Sequence, residues 1–213
     1  MKMLRVKQVV LMAAVAATVS CGDVVRDGRS PVYMVIDSLL ASRGAATPGA
    51  YSGTLLSDVV TNVTTGGSCS TTSPCPTIFN DMARVSLRMS PKDIGPLATG
   101  TVPSPSLNNE ITVNRYRVTF IRSDGRNTPG VDVPYGFDGA ATGTIPSGGS
   151  LTLDFEIVRH IAKLEAPLVY LATNLNVIST IAEVTFYGRD QVGNEVQVTG
   201  SILINFANHG DPS

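Results

Sequence analysis

The sequence predicts an all-β fold, a single antiparallel β-sandwich of seven to eight strands. Three observations support this prediction: apolar and polar residues alternate in several segments, turn-forming residues recur at short intervals, and no segment has the apolar spacing of an amphipathic helix. The chain has 213 residues, with 20 Gly, 13 Pro and no Trp. This length suits one sizeable domain once an export signal has been set aside.

The first predicted strands lie in the N-terminal half of the chain. Residues 31–38 contain an apolar run at 32–36, which predicts a buried first strand. Residues 54–61 form a shorter candidate strand, and a Thr-, Gly- and Ser-rich excursion follows it.

Three later segments show the alternation most clearly. In 83–89 and in 151–157, apolar residues occupy every second position, which predicts strands with one buried face. In 111–120 the alternation changes phase partway, so we expect a β-bulge near Asn114.

The last two predicted strands form a hairpin. Apolar residues alternate in 182–186 and again in 196–204, and the turn 190–194 lies between them. Gly193 and Asn194 tolerate the positive φ that a tight reversal needs.

Residues 182–206, with Tyr-Gly-Arg-Asp at 187–190 and Gly-Asn at 193–194, resemble the final hairpin of bacterial immunoglobulin-like or fibronectin-like modules. The resemblance implies that the sandwich is immunoglobulin-like and that its role is adhesive, binding or spacing. It transfers no functional residues, because a fold alone does not assign an activity.

Residues 1–21 have the parts of a bacterial export signal. Three basic residues precede an almost wholly apolar stretch at 9–19, and Cys21 ends the segment. The apolar stretch is shorter than the roughly 20 residues that a membrane-spanning helix needs, so a cleaved signal is expected.

This segment resembles the lipobox of bacterial lipoprotein precursors, in which the cysteine is diacylated, freed by cleavage and then N-acylated. The resemblance implies a lipid anchor at Cys21 in the bacterial cell envelope, and Gly22 implies the outer membrane, on its periplasmic or surface face. An ordinary secretory signal with an incidental cysteine is the alternative. The expected organisation is a signal at 1–21, a flexible tether at 22–30, the sandwich at 31–208 and a tail at 209–213.

The charge of the chain argues against nucleic acid as a partner. Removal of the signal takes the basic residues from 16 to 13 against 17 acidic ones, which gives a formal net charge of −4. A mildly acidic chain without a Lys/Arg run also has no electrostatic attraction to anionic lipid. The expected partners are therefore the membrane, through the lipid anchor, and an envelope protein or glycan.

Cys69 and Cys75 are the two cysteines that remain after Cys21. An even pair that closes a short polar loop in an oxidising compartment predicts a disulfide. A zinc site is the alternative, but the only histidines, His160 and His209, have no zinc-ligand spacing to this loop. We expect neither a metal nor a cofactor.

Catalytic motifs are missing from the sequence. It contains no G-x-S-x-G, no H-E-x-x-H and no Gly-rich phosphate loop. His160 follows the predicted strand at 151–159 and is interpreted as a histidine with ordinary hydrogen bonds rather than as a catalytic base. The protein is therefore predicted not to be an enzyme.

The loop 122–135 is dense in oxygen-bearing side chains. Asp124, Asn127 and Asp132 are weak calcium candidates, with Asp138 as a further ligand, because Ca²⁺ prefers six to eight oxygens. The alternative is that these side chains close turns. Turn closure is also favoured over calcium for Asp190 and Asn194, in the hairpin turn.

Arg115 and Arg117 stand two residues apart on one face of a predicted strand. Such a pair can grip a carboxylate or phosphate through bidentate hydrogen bonds, so both residues are weak binding candidates. The alternative is a solvated strand face with acidic partners on a neighbouring strand.

Three functions follow from these observations. The leading prediction is a lipid-anchored, non-enzymatic envelope protein whose sandwich binds a protein or glycan partner. A structural spacer without a specific ligand is the first alternative, and a hydrolase with an unrecognised site is the second.

Overall fold

A computed structural model describes residues 29–45, 49–92 and 105–210, and these form an all-β sandwich. Seven strands have five or more residues and four more have three residues each, so the predicted sandwich is confirmed and the short strands are additional. The strands are β1 Val32–Ser42, β2 Thr54–Asp58, β3 Thr61–Val63, β4 Cys75–Thr77, β5 Asp81–Pro91, β6 Ile111–Ile121, β7 Phe137–Gly139, β8 Gly143–Ile145, β9 Ser150–Val158, β10 Ile178–Asp190 and β11 Glu195–Ala207. The predicted signal at 1–21 and most of the tether at 22–30 lie outside the described residues.

Within the residues that the structure describes, helical structure is confined to short pieces. One turn of α-helix, α1, covers His160–Lys163, and 3-10 turns cover Leu107–Asn109 and Leu168–Ala172. The first and last of these lie in the connection from β9 to β10, where the chain crosses from one sheet to the other.

Two sheets make the sandwich. The smaller has the strand order β1-β5-β9, and the larger has the order β2-β11-β10-β6, with β7 and β8 both paired to β6. Strands β3 and β4 form a separate two-stranded ribbon. The pairing is antiparallel, as predicted, except between β2 and β11, which run parallel.

The core fills the space between the two sheets. The predicted inward residues of β5, from Ala83 to Met89, are buried. Aromatic rings join the sheets at the centre, where Phe155 of β9 lies 4.8 Å from Tyr116 of β6 and 5.3 Å from Phe186 of β10, centroid to centroid. Gly200 of β11 lies beneath β1, and a Cβ atom there would come within 2.7 Å of Ile36.

The predicted bulge is confirmed at Asn114. Val113 pairs with Gly188 and Arg115 pairs with Tyr187, so Asn114 has no opposing residue on β10. Asn114 and Arg115 consequently both lie on the solvent side, because the extra residue shifts the alternation by one position.

The predicted hairpin is also confirmed. Strands β10 and β11 pair continuously from Ile178 opposite Phe206 to Arg189 opposite Glu195. Gly193 in the turn has φ +91°, a conformation that glycine adopts without strain.

The sandwich has two distinguishable ends. At one end of β5, Pro91 pairs with Val32, the first residue of β1; we call this the tether end. At the other end of β5, Asp81 pairs with Val158, the last residue of β9; we call this the far end. Eleven residues of β5 separate the two ends by about 33 Å.

Candidate functional site

The arginine pair predicted on β6 lies on the outer face of the larger sheet. Arg117 donates a hydrogen bond to Asp138 Oδ2 at 3.3 Å, and Arg115 Nη1 lies 3.7 Å from Asp138 Oδ1. The two guanidinium groups therefore flank one carboxylate of the same chain, on the neighbouring strand β7. This is the geometry expected of a solvated strand face with an acidic partner.

A cavity opens beside Arg115, at the bulge. Its volume is about 320 Å³, within the range of small-molecule sites. The bulge helps to form it, because two consecutive residues of β6 point outward above β10. Six polar side chains line the cavity: Asn114, Arg115, Tyr187, Arg189, Glu195 and Gln197. We call it the bulge pocket.

Two contacts hold side chains of the bulge pocket in place: a cation–π contact and an ion pair. The Arg115 guanidinium lies over the Tyr187 ring, 4.1 Å from its centroid. Arg189 and Glu195 form an ion pair across the hairpin. A stacked guanidinium keeps its hydrogen-bond donors in the plane of the group, free for a partner at its edge.

The calcium candidates of the loop after β6 are engaged in protein contacts. Asp124 accepts hydrogen bonds from Arg122 and Arg126, and these guanidinium groups lower the pKa of Asp124 far below its ordinary value of 3.8. Asn127 accepts from the backbone N–H of Arg122, and Asp132 accepts from a backbone N–H of its own turn. In the described ranges, no cluster of three or more His, Cys, Asp or Glu side chains has the arrangement of a metal site.

Asp190 closes the hairpin turn. Its Oδ1 accepts hydrogen bonds from the backbone N–H groups of Val192 and Asn194, and its Oδ2 accepts from the Asn194 side chain. Burial raises the pKa of Asp190, but hydrogen bonds from Asn194, Ser30 and Val192 outweigh it, so the net pKa lies below 3.8. The side chain thus has the turn-closing geometry that the sequence favoured.

Cys69 and Cys75 form the predicted disulfide, with their Cα atoms 5.4 Å apart. The bond closes the end of the β3–β4 ribbon, where Val63 pairs with Cys75.

The two histidines both make hydrogen bonds within the chain. His160 begins α1 at the surface, and its ring Nδ1 and backbone N both lie within hydrogen-bonding distance of Asn80 Oδ1. His209 begins the predicted tail, and its backbone N–H donates to Asp58 Oδ1 at 3.1 Å.

A buried ion pair at the far end escaped the sequence prediction. Lys163 Nζ lies 2.9 Å from Asp81 Oδ2, and the side chains are 1% and 0% exposed. Asp81 also accepts hydrogen bonds from Ser57 Oγ at 2.6 Å and from the Gly44 N–H at 2.7 Å. Burial raises the pKa of Asp81 above 3.8, while Lys163 and the two donors act in the opposite direction. The sequence does contain one indication of this burial. Asp81 lies two residues before Ala83, so it continues the two-residue alternation of the buried residues of β5.

The connection from β9 to β10, residues 159–177, carries exposed apolar side chains; we call it the crossover segment. Leu168 and Leu171 anchor it in the core, and Lys163 anchors it through the ion pair and a 2.8 Å hydrogen bond to the Asp58 carbonyl. Among the described residues, fourteen large apolar side chains are exposed, and six belong to this segment: Ile161, Leu164, Val169, Tyr170, Leu175 and Val177.

No family model and no curated protein matches the sequence. An inference about function therefore depends on the fold and on the sites described above. None of the helices in the described ranges has the length and apolar character needed to span a bilayer.

Proposed function

We propose that this protein is a lipid-anchored module of the bacterial cell envelope, non-enzymatic, whose sandwich binds a partner protein at its far end. The observation that carries the proposal is the exposed apolar character of the crossover segment. Apolar side chains concentrated in one surface segment are typical of interaction sites.

The position of the crossover segment favours a protein over the membrane as its partner. The segment begins directly after Val158, which lies at the far end, whereas the tether 22–30 joins the sandwich at Val32. Nine extended residues span at most about 30 Å. A bilayer holding Cys21 therefore lies within about 30 Å of the tether end, whereas the crossover segment lies about 33 Å farther along the sandwich.

The anchoring of the crossover segment supports a preformed binding surface. The inner side of the segment is held by three buried residues, Lys163, Leu168 and Leu171. Binding of a partner should therefore cost little conformational entropy. Full burial of an exposed side chain such as Leu175 contributes about 1.5–3 kcal/mol, and the half-exposed side chains contribute less. Two further exposed side chains, Val131 and Tyr135, lie in the loop after β6, which leaves the larger sheet at the same end.

The non-enzymatic part of the proposal is supported by how the ionisable groups are used. The carboxyl groups with shifted pKa values, Asp81, Asp124, Asp154 and Asp190, make ion pairs or close a turn. A spacer without a ligand, the first alternative, gives no reason for the apolar crossover segment.

Site-specific photo-crosslinking in the producing cells tests the proposal. A photoreactive residue at Leu175, which is fully exposed, should yield one discrete heterologous adduct. The matched control is Val192 at the hairpin tip, 73% exposed and at the tether end, which should not yield that adduct. The same adduct from both positions, or none from Leu175, would contradict far-end binding, and an adduct of twice the chain mass would identify a second copy instead.

The lipid anchor is tested separately by the Cys21→Ser variant. This variant should leave the detergent phase on phase separation, whereas the wild type should remain in it. A variant that partitions like the wild type would refute the anchor while leaving the crosslinking result unaffected.

A further inference from the structure

We infer that the bulge pocket binds a saccharide that carries one carboxylate, such as a uronic acid unit. The pocket is separate from the crossover segment and lies near the tether end, where the β10–β11 hairpin turns. The inference therefore does not depend on the lipid anchor or on far-end protein binding.

Arg115 supplies the carboxylate-binding group. The side chain is 53% exposed, and its nearest carboxylate oxygen, on Asp138, lies at 3.7 Å, beyond hydrogen-bonding distance. Within the described ranges, Arg115 donates no hydrogen bond, although its guanidinium is held in place by stacking on Tyr187. A fixed guanidinium with unused donors matches the geometry of a carboxylate and forms two parallel hydrogen bonds with it.

The remaining polar groups suit hydroxyls. Asn114 and Gln197 face the pocket, and their amides have no hydrogen-bond partner among the described residues. An amide both donates and accepts, as a sugar hydroxyl does, so either orientation of a hydroxyl finds a partner. Glu195 offers an acceptor beside them even while it is paired with Arg189.

The charge of the pocket selects a monoanion. Arg115, Arg117 and Arg189 contribute three positive charges at the pocket and its edge, and Glu195 and Asp138 contribute two negative charges, which leaves one positive charge in excess. A dianion such as a phosphate ester would bring a second negative charge close to Glu195, and like charges at short range repel. A single carboxylate surrounded by hydroxyls fits both the charge and the hydrogen-bonding groups.

Calorimetric titration of the whole chain, purified from the producing cells in neutral detergent, tests the inference. The probe is a trisaccharide of two galactose units and one galacturonic acid unit, the acidic trimer, and a trimer of galactose is the uncharged control. We expect the acidic trimer to bind at least about 10-fold more tightly than the neutral one, because charge-assisted bidentate hydrogen bonds carry the difference. Binding should weaken as salt is added.

Two arginines on the same strand face provide a matched pair of variants. Arg115→Gln should weaken binding of the acidic trimer by about 10-fold or more. Arg117→Gln removes the same charge two residues away, but Arg117 is bonded to Asp138 and does not line the pocket, so binding should change by less than about 2-fold. Equal losses in both variants would show a general charge effect and overturn the site.

Tyr187 is assigned as a positioning residue for Arg115. Tyr187→Phe keeps the ring under the guanidinium and should retain binding, whereas Tyr187→Leu should lose it. Circular dichroism should show the same fold for both variants.

Three outcomes would overturn the inference: no binding of the acidic trimer, equal binding of the neutral trimer, or tighter binding of a glutamate-rich tetrapeptide. The last result would assign the pocket to an acidic peptide.

Discussion

Lys163 Nζ and Asp81 Oδ2 lie 2.9 Å apart in the interior and join the crossover segment to the first residue of β5. Both side chains are almost wholly excluded from solvent, so each charge depends on the other for compensation. The pair also holds β2, because Ser57 donates to Asp81 and Lys163 donates to the Asp58 carbonyl. Three separate parts of the chain thus meet at one polar cluster.

Removal of the cation should be strongly destabilising. We expect Lys163→Met to lower the free energy of unfolding by about 3–5 kcal/mol, because it leaves the Asp81 carboxylate buried without a counter-ion. Adding Asp81→Asn should recover part of the loss, since an amide keeps the acceptor for Gly44 without a charge. Urea unfolding followed by circular dichroism measures both changes, and a double variant less stable than the single one would contradict this account.

The stability of Lys163→Met should depend on pH in a defined direction. Burial already raises the pKa of Asp81 above 3.8, and loss of Lys163 removes the strongest opposing influence. A carboxyl whose folded pKa is raised contributes stability below its unfolded pKa and loses it as pH rises through the folded pKa. Relative to wild type, the variant should therefore gain stability as the pH is lowered from neutral toward 3.8, the ordinary pKa of an aspartate. An unchanged difference between the two proteins over this range would argue against a buried charge on Asp81.

The contribution of Asp190 to stability should depend on pH in the opposite direction. Its pKa is lowered by the turn hydrogen bonds, so its contribution is present above 3.8 and is lost as pH falls through the folded pKa. Asp190→Asn should be less stable than wild type at neutral pH, and this difference should shrink in acid. Parallel urea titrations at neutral and acidic pH provide the measurement, and Asp132→Asn, in an exposed loop, serves as a control for a carboxylate on another turn.

Chelation should leave the thermal midpoint unchanged. Asp124 is already neutralised by Arg122 and Arg126, and the oxygens of Asn127 and Asp132 accept backbone hydrogen bonds. Scanning calorimetry with and without EDTA checks this expectation. A midpoint that falls with EDTA and returns with added Ca²⁺ would restore the calcium hypothesis for this loop.

The sequence predicted the long strands because their burial follows a two-residue period. The alternation in β5, the phase change at Asn114 and the β10–β11 hairpin each depend on residues near one another in the chain. Local patterns of this kind are visible without knowledge of the tertiary fold.

The features that the sequence did not predict depend on contacts between distant segments. The parallel pairing of β2 with β11 has no local signature, because β2 is short and its partner strand lies far along the chain. Asp138, the partner of the arginine pair, lies on the three-residue strand β7, which is too short to show a period. No local pattern marks Lys163 as a buried cation, because its partner Asp81 lies on a distant strand.

The placement of the crossover segment opposite Val32 also has a mechanical consequence. A load applied between an anchored Val32 and a partner at the far end would run parallel to the strands. Hydrogen bonds between antiparallel strands lie perpendicular to that direction. The ladder between β1 and β5 would therefore be loaded in shear, with its bonds bearing the force together, rather than being peeled open one bond at a time.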